Sequence, residues 1–198
     1  LNWFELSSKL RKKPDVGLID FRWPRLLWSP DGRKFHYLKI DRGHQRLRVI
    51  EFDALTGEHR NVIDETSDTF IWTEHPKDLG VPLVNWLTKT PEIIYLSEME
   101  GWRHLYLIDV ATGKITNPIT KGEFVVRYVD RIDEEKRQVW FRASGRNAGQ
   151  DPYLMHYYRV NFDGSDLTAL TEGNGWHKID YSPSRKFILD TYSRVDLP

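Results

Sequence analysis

The 198-residue sequence contains no cysteine. Disulfide bonds and metal sites built on thiolates are therefore excluded. Without cysteines, the sequence does not indicate whether the protein works in an oxidising or a reducing compartment. The sequence also has no run of about 18 apolar residues, so we expect no membrane span in this chain. An excess of charge is missing as well, because 29 basic residues balance 29 acidic ones. This balance argues against a nucleic-acid partner or a membrane-surface binder, since both call for a basic excess.

Aromatic residues, in contrast, are abundant, with eight Trp, nine Tyr and nine Phe. Each can bury roughly 150–250 Å², so even short strands can build a substantial core. The length suits one good-sized domain or two small ones. No signal peptide is visible, and because the first residue is Leu1 we expect the sequence to be part of a longer chain.

A turn motif recurs along the sequence. Its three copies are centred on Asp53, Asp109 and Asp163, which follow one another at intervals of 56 and 54 residues. Each copy comes after a strand-like apolar stretch and contains a glycine suited to a tight turn. A repeat of roughly 40–50 residues with about four strands is typical of a β-propeller blade. We expect the three Asp residues to occupy equivalent turns after the third strand of each blade.

The fold that this repeat predicts is all-β, a partial β-propeller of about three and a half four-stranded antiparallel blades. We expect the blades at about 20–64, 65–120 and 121–171, with an incomplete blade at 172–198. Residues 1–19 form a separate N-terminal segment, in which the spacing of Trp3, Leu6 and Leu10 is compatible with a short helix. The basic cluster within it is typical of a solvated face and comprises Lys9, Arg11, Lys12 and Lys13.

The chemistry-bearing residues predict no catalytic residue, no metal and no cofactor. We expect His44 and His104 to bond turn backbones rather than act as catalysts. The serines in turns are not on a strand-to-helix elbow: Ser29, Ser97, Ser182 and Ser184. A calcium-loop pattern of Asn161, Asp163, Ser165 and Glu172 has Asp166 where glycine is needed. The glycine-containing stretch 145–149 lacks the Lys-Ser/Thr of a phosphate loop. The sequence does not indicate which residues bind substrate.

Three segments resemble the propeller of the dipeptidyl peptidase IV family. Residues 96–107 are similar to its S-E-x-x-G-[WYF]-x-H-L-Y segment, and residues 119–126 resemble L-T-x-G-x-[WF]-x-V. Residues 41–51 are similar to the R-G-H-Q-x-x-R-V-I segment of bacterial members. The three motifs occur in the expected order, and the resemblance covers roughly residues 20–198.

The resemblance implies the later blades of an N-terminal propeller that precedes an α/β-hydrolase domain in a serine exopeptidase. The expected partners are that hydrolase domain and the peptide substrate of the parent protein, and bacterial members imply a periplasmic or exported location. Glu134 and Glu135 do not match the position of the family's paired glutamates, so that role is not carried over. Open blade faces predict self-association. The alternative function is a stand-alone propeller-type module that binds protein or glycan, and the parent sequence beyond Pro198 would separate the two.

Overall fold

A computed structural model describes residues 2–9, 11–12, 15, 17, 19–20, 25–73 and 82–196. Within these ranges every regular element is a β-strand. No described segment forms a helix of the length and apolar character that crossing a membrane requires. The chain divides into two compact units, 1–77 with 110–114 and 78–109 with 115–198.

The first unit holds an antiparallel hairpin and one four-stranded antiparallel sheet. The hairpin pairs β1 (Trp3–Phe4) with β2 (Arg11–Lys12). The sheet has the order β3 (Leu27–Trp28), β4 (Lys34–Ile40), β5 (Arg46–Asp53) and β6 (His59–Thr66). Because side chains alternate between the two sides of a strand, four buried residues share one side of the sheet. That side carries the cluster Phe35, Tyr37, Ile50 and Phe52, on which Trp3 packs.

The short helix expected near the N-terminus is wrong, since residues 3–4 and 11–12 form the hairpin instead. A helix at this length depends on burying an apolar stripe. Leu6 is 91% exposed and buries nothing, and Leu10 lies outside the described residues. Trp3 does find an apolar surface, and its ring meets the Phe52 ring edge-on with centroids 4.6 Å apart.

The second unit holds two four-stranded sheets and a two-stranded one, all antiparallel. The first sheet comprises β7 (Val84–Trp86), β8 (Glu92–Ser97), β9 (His104–Asp109) and β10 (Ile115–Pro118). The second comprises β11 (Val125–Asp133), β12 (Gln138–Ser144), β13 (Met155–Asn161) and β14 (Thr168–Ala169). The last pair is β15 (Trp176–Tyr181) and β16 (Ile188–Ser193). The predicted fold class, three four-stranded sheets and a half, is confirmed.

The three repeated Asp residues lie in the turns between the third and fourth strands, as predicted, although their register differs. Asp53 and Asp109 end β5 and β9, whereas Asp163 lies two positions beyond the end of β13. The residue that takes the strand-end position in the third sheet is Asn161. Asp163 instead accepts the amide of Ser165 within the turn, at 2.9 Å.

In each of these turns, the first residue after the third strand of the sheet has a main-chain carbonyl that accepts a hydrogen bond. The donor is a side chain that lies outside that sheet. In the first unit, Trp3 Nε1 donates to Ala54 O at 2.9 Å and Arg60 Nη2 donates to Val110 O at 2.6 Å. In the second unit, Asn117 Nδ2 donates to Phe162 O at 2.8 Å. Three different side chains therefore satisfy the same carbonyl position of the repeat.

The turn glycines approach the segments that supply these donors. A Cβ added to Gly113 would come within 2.7 Å of Val62 O, and one on Gly164 within 3.2 Å of Ile119 O. In the first sheet, a Cβ added to Gly57 would come within 2.9 Å of the Trp3 ring. Trp3 of the hairpin therefore lies against the turn glycine of the first sheet, Gly57, as Val62 of β6 lies against the turn glycine Gly113.

Candidate functional site

The edge where β9 begins is built around a buried arginine. Arg103 is 4% exposed. Its Nε donates to the carbonyl of Val126 at 2.8 Å, and the Val126 amide returns a bond to Arg103 O at 2.8 Å. Burial lowers the pKa of this guanidinium to about 10. The side chain therefore fastens the start of β9 to the start of β11.

His104, the next residue, is bonded through both ring nitrogens. Nδ1 lies 3.0 Å from Thr120 Oγ1, and Nε2 lies 2.8 Å from the Gly122 carbonyl. The same Thr120 hydroxyl accepts the Leu105 amide at 3.0 Å, so its hydrogen is free to be donated to Nδ1. The ring then carries its own hydrogen on Nε2 and donates it to Gly122. Burial lowers the pKa of His104, in agreement with a neutral, structural imidazole.

Comparable His–Thr pairs occur at the next sheet and in the first unit. Thr171 Oγ1 accepts the Tyr157 amide at 3.1 Å and lies 3.5 Å from His156 Nδ1. In the first unit, His44 Nδ1 lies 2.5 Å from Thr73 Oγ1. The prediction that His44 and His104 have structural roles fits these contacts. The repeat of the pairing was missed, although each of the three threonines directly follows an apolar residue in the sequence.

The turn between β8 and β9 presents acidic and apolar side chains to solvent. Glu98 and Glu100 are exposed, and Met99 and Trp102 are each 43% exposed. The Met99 amide donates to Ser97 Oγ at 3.0 Å, which fixes the base of the turn. This exposed tip on a buried frame is the part of the edge that a peptide or protein could contact.

Residues 12–198 match the family model described as "Dipeptidyl peptidase IV (DPP IV) N-terminal region". The chain belongs to this family. The resemblance of the three sequence motifs is thereby confirmed over nearly the whole chain.

Several longer proteins are similar to this member of the dipeptidyl peptidase IV N-terminal region family. A probable dipeptidyl peptidase 4 of Emericella nidulans is 25% identical over 175 residues, which are 78% of this chain and 22% of that protein. Dipeptidyl peptidase 4 of Trichophyton equinum is 22% identical over 164 residues, 82% of this chain and 20% of that protein. The chain thus spans about a fifth of the length of these relatives.

The fold is similar to that of a solved structure, dipeptidyl peptidase 4 of Porphyromonas gingivalis. The TM-score is 0.72 at 15% sequence identity, and the match covers 97% of this chain and 26% of that one. At this identity the likeness concerns the fold alone.

Of the serines considered as nucleophiles, Ser97 ends β8 in this family member, and Ser29, Ser182 and Ser184 lie in or beside turns. Ser29 Oγ donates to Asp31 Oδ1 at 2.5 Å. Ser182 Oγ lies 3.2 Å from Ser184 Oγ and accepts the Phe187 amide at 3.2 Å. These hydrogen bonds lie within single turns. They do not test the expectation that this chain carries no catalytic residue, which stays a prediction.

The adjacent glutamates of the β11–β12 turn are engaged by another turn of the same unit. The Glu134 carboxylate accepts the amides of Thr88, at 2.9 and 3.0 Å, and of Lys89, at 2.8 Å. Burial opposes these bonds, yet together they hold the pKa of Glu134 below its usual value. Glu135 pairs with Lys89 Nζ at 2.5 Å. Both glutamates therefore connect the β11–β12 turn to the β7–β8 turn.

The calcium-like pattern also resolves into local bonds. Asp163 Oδ1 accepts the hydroxyl of Ser165 at 2.6 Å, and Asn161 Nδ2 donates to Ser165 Oγ at 2.9 Å. The turn thus uses its own oxygens to bond itself. Across the described ranges, no group of three or more His, Cys, Asp or Glu is arranged to hold a metal ion.

Proposed function

We propose that this chain is the propeller portion of a serine exopeptidase similar to dipeptidyl peptidase IV. It shapes and gates the access of peptides to a hydrolase domain outside these 198 residues. The observation that carries the proposal is the family match over residues 12–198. It is supported by relatives named dipeptidyl peptidase 4, of which the chain spans 20–22%.

The geometry suits a passive, selective role. The buried contacts of Arg103 and His104 make the β9 edge a rigid frame, while Met99 and Trp102 project from it. Loops on a rigid scaffold commonly provide specificity without taking part in the chemistry. A peptide that enters along this edge would meet an aromatic ring and two carboxylates, so that the edge selects by size and charge.

The test is a Trp102→Ala substitution in the intact protein, with Leu55→Ala as a matched control. Leu55 is also an exposed apolar turn residue, 65% exposed, but it lies in the turn after β5. Activity is measured on an aminoacyl-prolyl chromogenic substrate and on longer peptides. We expect Trp102→Ala to change the ratio of kcat/KM between long and short substrates by about threefold or more, as a contact of roughly 0.7 kcal/mol would, and Leu55→Ala to leave it unchanged.

Two outcomes would count against the proposal. An unchanged ratio in Trp102→Ala would remove this edge from substrate access. An intact protein with no peptidase activity at all would favour the interaction module instead.

A further inference from the structure

Two buried histidines meet between the last two sheets of the second unit. His156 lies on β13 and His177 on β15, and they are 2% and 1% exposed. Their ring centroids are 4.8 Å apart. They therefore lie in the contact between the sheet β11–β14 and the hairpin β15–β16.

The bonds of His156 suit a neutral ring. Nε2 lies 2.8 Å from Gln150 Oε1, an acceptor, so the ring hydrogen belongs on Nε2. Nδ1 faces Thr171 Oγ1 at 3.5 Å, and that hydroxyl already accepts the Tyr157 amide. The Thr171 hydroxyl hydrogen is therefore free to point at Nδ1. A proton added to Nδ1 would face this hydrogen and would have to displace it.

His177 faces acceptors on both sides. Nδ1 lies 2.8 and 3.1 Å from the two carboxylate oxygens of Asp190, and Nε2 lies 3.5 Å from Gly173 O. The Tyr192 ring stacks on it with centroids 5.0 Å apart. The titratable groups that the structure places against the histidine pair are thus Asp190 and Tyr192, both on β16. The partners from the two neighbouring loops are neutral.

We propose that the His156–His177 pair is an acid-sensitive joint, in which protonation of His156 loosens the hairpin β15–β16 from the sheet β11–β14. A charged His156 would lose its bond from Thr171 and would lie against a second imidazole with a single carboxylate nearby. Opening the joint exposes the ring to water, where the charge is solvated. Burial above all, and then His177, lower the pKa of His156. A lowered pKa in the closed joint is the direction that the proposal requires, because protonation then favours the open joint.

Hydrogen exchange of the intact protein tests the joint. Protection of the β15 and β16 amides is measured at pH 7.5 and at pH 5.5, with correction for intrinsic exchange. If His156 is neutral when closed and titrates near 6.5 when open, the opening equilibrium rises by up to about tenfold between these pH values. In His156→Gln, which cannot be charged, the rise should disappear.

A second variant keeps the test decisive. Asp190→Asn removes the carboxylate that faces the pair and partly compensates a charge on it, so the rise in opening between pH 7.5 and 5.5 should be at least as large as in the unmodified protein. An unmodified protein whose β15 and β16 protection does not change with pH would overturn the proposal, even if the His156→Gln variant failed to fold. An equal rise in a folded His156→Gln protein would overturn it as well.

Discussion

Substitution of Gly113 by alanine tests the contact that joins the turn 110–114 to β6. Gly113 has a φ of +71°, and an added Cβ would lie 2.7 Å from Val62 O, a backbone atom that no side-chain rotation can move away. The left-handed conformation costs an alanine roughly 1–2 kcal/mol. Forcing the backbone apart adds about 1–3 kcal/mol. We expect a total destabilisation of about 2–5 kcal/mol, a large share of the 5–15 kcal/mol that is typical of a folded protein.

The control is Gly32→Ala, because Gly32 has almost the same φ, +67°, and nothing lies within 4 Å of its added Cβ. It carries the conformational cost of about 1–2 kcal/mol without the clash. Urea unfolding followed by tryptophan fluorescence gives the free energy of unfolding of both variants. If the two losses agree within about 0.5 kcal/mol, the turn glycine is not held against the neighbouring strand and the reasoning fails.

Three further predictions concern single contacts and the open edge. Asn117→Ala removes the donor to Phe162 O and should lower the free energy of unfolding by about 1 kcal/mol, whereas exposed Asn174→Ala should change it little; equal losses would contradict the role of the bond. The pKa of His104 is lowered on folding, so its stabilising effect is complete above about pH 6.5 and declines as the pH falls below it. Unmodified protein should therefore lose up to about 1.4 kcal/mol more than His104→Gln between pH 7.5 and 5.5, and parallel pH profiles would refute this. The isolated chain should self-associate through the β16 region, where Phe187 and Leu189 are 73% and 66% exposed; light scattering that shows a monomer at all concentrations would count against it.

Much of the sheet arrangement could be predicted from the sequence, because strands and turns are local. The Asp53 and Asp109 copies share one spacing to their glycines and superpose in the sheet order. The third turn has one residue fewer between the end of its strand and its glycine. The sequence comparison therefore aligned Asp163 with Asp53 and Asp109, whereas Asn161 holds the equivalent strand-end position. The N-terminal helix failed because the spacing of three apolar residues cannot say whether a surface exists to receive them.

The contacts that fasten the sheets could not be read from residue types. The same carbonyl position is satisfied by Trp3, Arg60 and Asn117, which share only a side-chain N–H. The His–Thr pairs join residues on either side of an outer strand, such as His104 and Thr120, and neither type is unusual by itself. Such pairings depend on how strands face one another, which only the fold supplies.

We propose that these residues form a propeller that serves a catalytic domain elsewhere. The most direct test treats the intact protein with a fluorophosphonate probe and maps the labelled serine by peptide mass spectrometry. We expect stoichiometric labelling of a serine outside the 198 residues, loss of hydrolysis of an aminoacyl-prolyl substrate, and no labelling of the isolated chain. Stoichiometric labelling of a serine within this chain, such as Ser97 or Ser182, would contradict it.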